Sequence, residues 1–237
     1  NRVGIDLSLY DKRSSDLIID LDIDPASGFR NTTVNAAELE KRGVELGAWV
    51  QPFKGDLQYR LGINFTRNRN LVLGIADGVA SVPIAGFTNL GNFALEPLEI
   101  SELPDGETAA DYPLATERDG FLYFPFATIQ GSKFERVDGE LLVTDIGFYQ
   151  ATDDISPIGD PNPDYTISYL NTLSFKGVSL FVNLNYTKGG DIYSGTASTL
   201  LARGNTIDTE FDRFLPFVLD GVDEDGNPNT IQVYAAD

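Results

Sequence analysis

The sequence predicts an all-β chain built as a segment of an antiparallel transmembrane β-barrel. Three observations predict it. Apolar and polar residues alternate with period 2 along most of the chain. The connections between alternating runs are short, then long, then short again, as at the two rims of such a barrel. Aromatic residues gather at the ends of the runs, at Tyr10, Tyr59, Phe65, Tyr165, Phe175 and Tyr186, where an interfacial girdle belongs.

The runs follow in order. Val3, Ile5, Leu7 and Leu9 share one face, with Gly4, Asp6 and Ser8 opposite. After DKRSSD as a short turn, Leu17, Ile19, Leu21 and Ile23 alternate with Asp16, Ile18, Asp20, Asp22 and Asp24. A long connection over 24–42 follows; overlapping its end, NAAELEKRG, at 35–43, is the best helical stretch of the chain, of one or two turns at most. Val44, Leu46, Ala48 and Val50 then oppose Glu45, Gly47, Trp49 and Gln51. PFKGD is the next short turn, and Leu57, Tyr59, Leu61, Ile63 and Phe65 oppose Gln58, Arg60, Gly62, Asn64 and Thr66.

A long connection runs from residue 67 to about 120. After it, FLYFPFATIQGSKFERV and ELLVTDIGFYQ flank a turn at Val137-Asp138-Gly139-Glu140. Strand direction allows zero or two spanning strands there, and two are expected. Tyr165, Ile167, Tyr169, Leu173 and Phe175 next oppose Thr166, Ser168, Thr172 and Ser174. Lys176-Gly177 turns the chain into Val178, Leu180, Val182, Leu184 and Tyr186, opposed by Ser179, Phe181, Asn183, Asn185 and Thr187. The region from 191 onward is a long loop.

A soluble sandwich also alternates, burying its apolar faces against each other. The apolar runs here are about nine residues long, which at roughly 3.3 Å per residue and a tilt near 45° rise about 20 Å, close to the apolar band of a membrane barrel. No run of apolar residues is long enough for a transmembrane helix, which leaves a barrel untouched.

The composition narrows function. A formal charge of −19 over 237 residues opposes binding to a nucleic-acid backbone. With no Cys there are no disulfides, thiolate nucleophiles or sulfur-held metals. With no His the commonest general base and transition-metal ligand are missing. The absence of Met and of a signal peptide ahead of VGIDLSLY leads us to expect a piece of a longer protein.

Specific motifs then point to a family. IGDPNPDYTISYLNTLSFKGVSLFVNLNYTKGGDIYSGT, residues 158–196, resembles a hallmark of the SusC/RagA family of TonB-dependent outer-membrane transporters: a GNPNPD-like turn, a strand, a KG turn, a strand and a GGDIYNGT-like loop. Residues 9–70 resemble a second, with a tyrosine followed by a basic turn and DLI, an SGF loop, a KG(I/V)EL-like segment and a short turn into a Phe/Asn-rich strand. The tail at 203–233 resembles the extracellular stretch that follows, and the likeness is weakest over 71–120. Asp160 and Ser194 stand where Asn is usual.

The resemblance implies that residues 1–237 are part of one C-terminal β-barrel domain in the bacterial outer membrane, with short periplasmic turns and long extracellular loops, the plug domain and final strands lying outside it. It implies active import of oligosaccharides or peptides, shared with a SusD-like surface lipoprotein and driven by the TonB complex through the plug. Lipid is the expected surround; no cofactor and no enzymatic chemistry are expected.

The candidate contact residues are few. Trp49, the single tryptophan, falls on the polar face, where an indole can stack on a sugar or peptide side chain or pack against the plug. Asp191 and Tyr193 lie just past the last hairpin, where a lid or substrate could dock; a capping or turn role suits the aspartate equally. Asp20, Asp22 and Asp24 form an acidic row that reads as a hydrated wall rather than a cation site. Asp223, Asp225 and Asn227 superficially resemble a calcium loop but lack the distal Glu, so a loop turn is the better reading. A secreted carbohydrate-binding β-sandwich is the competing class. A glycosidase needs a carboxylate pair, and no motif singles one out.

Overall fold

The computed structural model describes the chain except residues 1, 23, 77, 88, 89, 105, 106, 211, 213 and 235–237; side chains at 19, 21, 22, 25, 36, 85–87 and 208 are likewise outside the description, so Ile23 and the side chains of Ile19, Leu21 and Asp22 are not placed. Among the described residues the fold is all-β with one short α-helix. In chain order the described strands are β1 (Val3–Asp22), β2 (Asn31–Lys54), β3 (Leu57–Gly74), β4 (Ser81–Phe87), β5 (Leu90–Leu95), β6 (Leu98–Glu99), β7 (Thr116–Arg118), β8 (Phe121–Tyr123), β9 (Thr128–Gly131), β10 (Arg136–Val137), β11 (Glu140–Leu141), β12 (Ser156–Gly159), β13 (Pro163–Phe175), β14 (Val178–Gly189), β15 (Phe217–Val218) and β16 (Gln232–Val233); the helix α1 spans Gly195–Ala202. They fall into two compact units: Asn1–Gly86, Gly91–Ile129 and Gly159–Asp191 form one, and Phe87–Leu90, Gln130–Ile158 and Ile192–Asp237 the other.

The first unit is organised on a five-stranded sheet of order β1-β2-β3-β13-β14. Its registers carry the alternation of each strand onto its neighbours. Leu7 faces Leu46, Leu46 faces Phe65, Phe65 faces Ile167, and Ile167 faces Tyr186. The next row runs Ile5, Ala48, Ile63, Tyr169 and Leu184. One face is therefore a continuous apolar sheet, because a register offset by one residue would turn half of each row over. That face is uncovered: Ile5 is 75% exposed, Val178 74% and Leu184 60%.

Asn171 is the polar exception on it, aligned between Leu61 and Val182. The Tyr59 hydroxyl donates to its Oδ1 at 2.8 Å, so the amide is supplied with a partner inside the sheet.

Three expectations change. DKRSSD is no turn: β1 runs through it as one strand, with a register shift between Ser14 and Leu17 and Asp16 at φ 54°. An extra residue absorbed as a bulge lets pairing with β2 continue, so the six runs of the sequence become five long strands. NAAELEKRG is no helix; it lies within β2, where flanking strands on both sides satisfy its backbone and override local propensity. The long connection expected over 24–42 accordingly shrinks to the segment between β1 and β2.

The expected pair of spanning strands after residue 67 is also absent from the sheet, since β3 pairs directly with β13. FLYFPFATIQGSKFERV and ELLVTDIGFYQ hold only two- to four-residue strands, with positive φ at Ala127 inside the first, at Asp138 and Gly139 between them and at Gly147 inside the second. Their alternation serves a local core: Phe124 and Leu122 are each 1% exposed. The turn at Asp138-Gly139 does form. It belongs to a set of three two-residue hairpins, with Asp119-Gly120 and Lys176-Gly177, in which both residues have positive φ as a type I′ turn requires.

Above the apolar band the ends of β1–β3 meet this core. Leu39, Val72, Val82 and Ala94 are buried together, with Leu17, Ile75, Val79 and Phe126 against them. A second cluster joins Phe93, Leu95 and Phe124. The Glu40 carboxylate, 3% exposed, accepts from Arg118 Nη1 at 3.0 and 3.2 Å and pairs with Arg42 at 3.2 Å and Arg13 at 3.9 Å. A buried carboxylate requires such countercharge.

The second unit is a set of small ladders. β10 and β11 form one, β15 and β16 another, and isolated bridges join Val143 to Tyr149 and Leu142 to Val222. Ser194 caps α1, its Oγ accepting from Ala197 N–H at 3.2 Å.

Candidate functional site

The polar face of the large sheet carries the site. Glycines and small polar residues dominate it: Gly4 opposite Trp49, Trp49 opposite Gly62, and Gly47 opposite Asn64. A groove of about 530 Å³ runs across these rows, lined among others by Asp6, Trp49, Arg60, Asn64, Leu170 and Phe181.

Trp49 lies flat over its cross-strand partner. A Cβ on Gly4 would sit 2.2 Å from the indole Nε1, so only glycine leaves room for the ring. The Arg60 guanidinium lies 4.4 Å from the indole ring centroid. The indole thus has both the close glycine backbone and a guanidinium as neighbours. Phe181 adds an exposed apolar surface to the same groove. This arrangement offers stacking surfaces and hydrogen-bonding groups side by side.

Tyr10 departs from the expected girdle. It faces the polar side, where a Cβ on its partner Gly43 would lie 2.4 Å from the ring, and its hydroxyl donates to Asn68. Counting from the bulge-free start of β1 puts even residues on the polar face, which position at a run's end cannot reveal. The other girdle residues do collect on the apolar face. Phe65 and Tyr165 have ring centroids 5.8 Å apart, and Tyr165 and Tyr186 6.2 Å.

Asp191 is a clasp. Its N–H donates to the Asp160 carbonyl at 2.7 Å, and its Oδ2 accepts from the Asp160 N–H at 2.8 Å. Asp160 in turn accepts at Oδ1 from the Asn162 backbone and side chain, at 2.9 and 2.7 Å, and Asn162 Nδ2 donates to the Phe126 carbonyl at 2.8 Å. The GDPNPD and KGGD motifs are therefore the two halves of one joint at the end of the β13–β14 hairpin. Only an acceptor oxygen is needed at 160, so aspartate serves where asparagine is usual. Gly190, at φ 86°, packs where a Cβ would sit 3.1 Å from the Pro161 carbonyl. Tyr193 belongs to the second unit and is 52% exposed.

The acidic features have local partners. Asp20 accepts from Thr33 Oγ1 at 2.5 Å and Asp24 from Ala26 N–H at 2.8 Å. Asp223 Oδ1 accepts from Asp225 N–H at 3.0 Å and Asn227 N–H at 2.8 Å, which makes DEDGN a carboxylate-capped turn. Those backbone donors, Asn227 first, hold the Asp223 carboxyl below its usual range. Among the described residues no group of three or more Asp or Glu side chains is placed to hold a metal. The Arg60 stack and the joint at Asp160 escaped the sequence reading. The DPNPD string was the joint's nearest signal, since Asx turns recur in such strings, and the Arg60 stack had none.

No family model matches the chain. In sequence it is 27% identical over 205 residues to the TonB-dependent receptor P3 of Formosa agariphila, covering 83% of this chain and 20% of that protein. The TonB-dependent receptors P26 and P39 of the same organism are 23% and 24% identical, each over 81% of this chain and 19% and 21% of their own length. In fold it is similar to the RagAB peptide importer in the closed-closed state, with TM-score 0.53 and 17% identity over 80% of this chain and 20% of that one. The open-open state of that importer gives 0.51 at 16% identity. These relatives are named receptors and importers. The chain spans about a fifth of the length of the relatives it matches. Similar over four fifths of its length to TonB-dependent receptors in sequence and to RagAB in fold, the chain bears out the resemblance to a SusC/RagA-type TonB-dependent receptor.

Proposed function

We propose that the chain forms part of the C-terminal barrel wall of an outer-membrane, TonB-dependent importer of oligosaccharides or peptides that works with a SusD-like surface lipoprotein. One observation carries the reading: a five-stranded sheet with an uncovered apolar face and a polar, glycine-rich face. Exposed rows such as Ile5-Ala48-Ile63-Tyr169-Leu184 fit lipid contact, whereas a soluble sandwich would bury them.

Heights agree. From Tyr165 to Phe175 is about 33 Å along β13 at ~3.3 Å per residue, and about 23 Å of rise at a tilt near 45°. The hairpin turn at Lys176-Gly177 is then periplasmic, and the joint at Asp160 and Asp191 faces outward. In this setting Trp49 and its groove face the lumen and contact cargo or plug, while Asp191 acts by shaping the loop that carries Tyr193. The sequence likeness to TonB-dependent receptors supports energy coupling through TonB. The fold likeness to a peptide importer favours peptides as the first cargo to test.

Single cysteines at Leu180 and Asn183 of the full-length protein, labelled with nitroxide in lipid vesicles, test the reading. Leu180 labels should relax with oxygen and Asn183 labels with a water-soluble nickel chelate. Equal access of the nickel chelate to both would sink the membrane assignment.

A further inference from the structure

The apolar face of the large sheet ends abruptly in cations. Directly outward of Phe65 on the same face of β3 come Arg67 and Arg69. Arg67 is the partner of Val44 and Arg69 of Arg42, so both continue the apolar rows into charge. Lys188 stands on the same level of β14, opposite Tyr165, its Nζ 5.9 Å from that ring. In a chain of net charge −19 this is a local reversal of sign.

The neighbouring carboxylates do not cancel it. Asp11 and Glu40 are both committed to Arg42, and Glu40 to Arg118 and Arg13 as well. Asp160 and Asp164 line a small recess together with Arg67 and Arg69, yet among the described residues neither arginine is within ion-pair distance of any carboxylate. Both are exposed. They border a groove of about 490 Å³ whose other walls include Leu9, Val44 and Arg42, so apolar and cationic surface meet in one depression.

Resting on the membrane reading above, we propose that Arg67 and Arg69 form a docking site for the phosphate-bearing headgroup of an anionic membrane lipid, whose acyl chains lie along Leu9, Val44 and Phe65. Charge complementarity and continuity with the apolar face select this occupant. A free anion gains nothing from the apolar wall, and a neutral lipid gains nothing from two unpaired guanidinium forks. Basic residues at the edge of a membrane-spanning surface attract anionic headgroups for the same reason.

The test uses the full-length protein in phosphatidylcholine nanodiscs supplemented with lipid A, with retained lipid counted by native mass spectrometry. Lipid A should be retained, its dephosphorylated form should not, and inorganic phosphate at equal concentration should fail to displace it. Arg67→Gln/Arg69→Gln should weaken retention about tenfold or more, while Arg203→Gln, in the second unit, should leave it unchanged. Should the double variant fail to assemble, Arg69→Gln alone is read the same way. Retention by the variants equal to that of the parent, equal retention of the dephosphorylated lipid, or displacement by phosphate each overturns the site. A Leu180 label exposed to water would instead overturn the membrane reading, independently of these lipid counts.

Discussion

The large sheet holds two regions that share a pattern and differ in fate. In the band from Leu7 to Phe175 the alternating apolar residues are exposed, with Val3 at 60% and Leu180 at 58%. In the outward ends of β2 and β3 the period of two persists but the apolar residues change sides: Leu39, 6% exposed, and its partner Val72, 0% exposed, lie on the face of Gly43, Asn68 and Trp49. Backbone geometry is the same in both. The difference lies in what each face meets: the segment over 81–129 supplies Val82, Ala94 and Phe126 to the inner side of the outward ends, while Val3, Ile5 and Leu180 of the band stay exposed. An alternating strand therefore states which side is apolar, and only its surroundings state whether that side meets protein or another apolar medium.

Substitutions that exchange the two environments break the comparison. The largest effect is expected for Phe124→Ala in the covered region. Removing a 1% exposed aromatic should cost about 3–5 kcal/mol, read as a lower urea midpoint of the full-length protein. Ile5→Ala in the band, equally apolar but exposed, should cost under about 1 kcal/mol, because no packed cavity is left behind.

Next comes Val182→Arg, at mid-height of the band. It should destabilise the protein in lipid vesicles by about 2–4 kcal/mol, whereas Asn183→Arg, one residue away on the polar face, should stay within about 0.5 kcal/mol. Equal costs for the two would erase the distinction between the faces.

The smallest effect sharpens the covered side. Burial, and then its hydrogen bond to Glu107, push the Tyr112 hydroxyl up to about 12 from 10.0. A raised folded pKa stabilises the protein below the unfolded value, and that contribution fades as pH rises from 10.0 through about 12. Phenolate absorbance should show one late-titrating tyrosine, and Glu107→Gln should bring it earlier. An unchanged titration would detach Tyr112 from its carboxylate partner.

Much of the band was legible locally. Period 2, the Lys176-Gly177 turn and the aromatics at 59, 65, 165, 175 and 186 all depend on residues within a few positions of one another, as does the Asp138-Gly139 turn of the second unit. The polar groove was half legible: Trp49 was visible on the right face, but Gly4 beneath it is brought there by pairing with a different strand. The hydrogen bond from Tyr59 to Asn171 joins residues 112 positions apart, and the Glu40–Arg118 pair spans 78. No window of sequence contains either. DKRSSD misled for a related reason. Its composition is that of a turn, yet the β2 backbone beside it supplied hydrogen bonds that a turn would have left to water.

The sequence by itself determined the all-β class, the two-sidedness of each long strand and the tight turns, because alternation and positive-φ residues act through neighbours in the chain. The tertiary structure alone decided that β1 passes through DKRSSD, that β3 pairs with β13 across the whole intervening segment, and that Leu39 and Val72 are covered while Ile5 and Leu180 are not. Partner choice between strands is set by which registers align every apolar row at once, and that condition involves all five strands together.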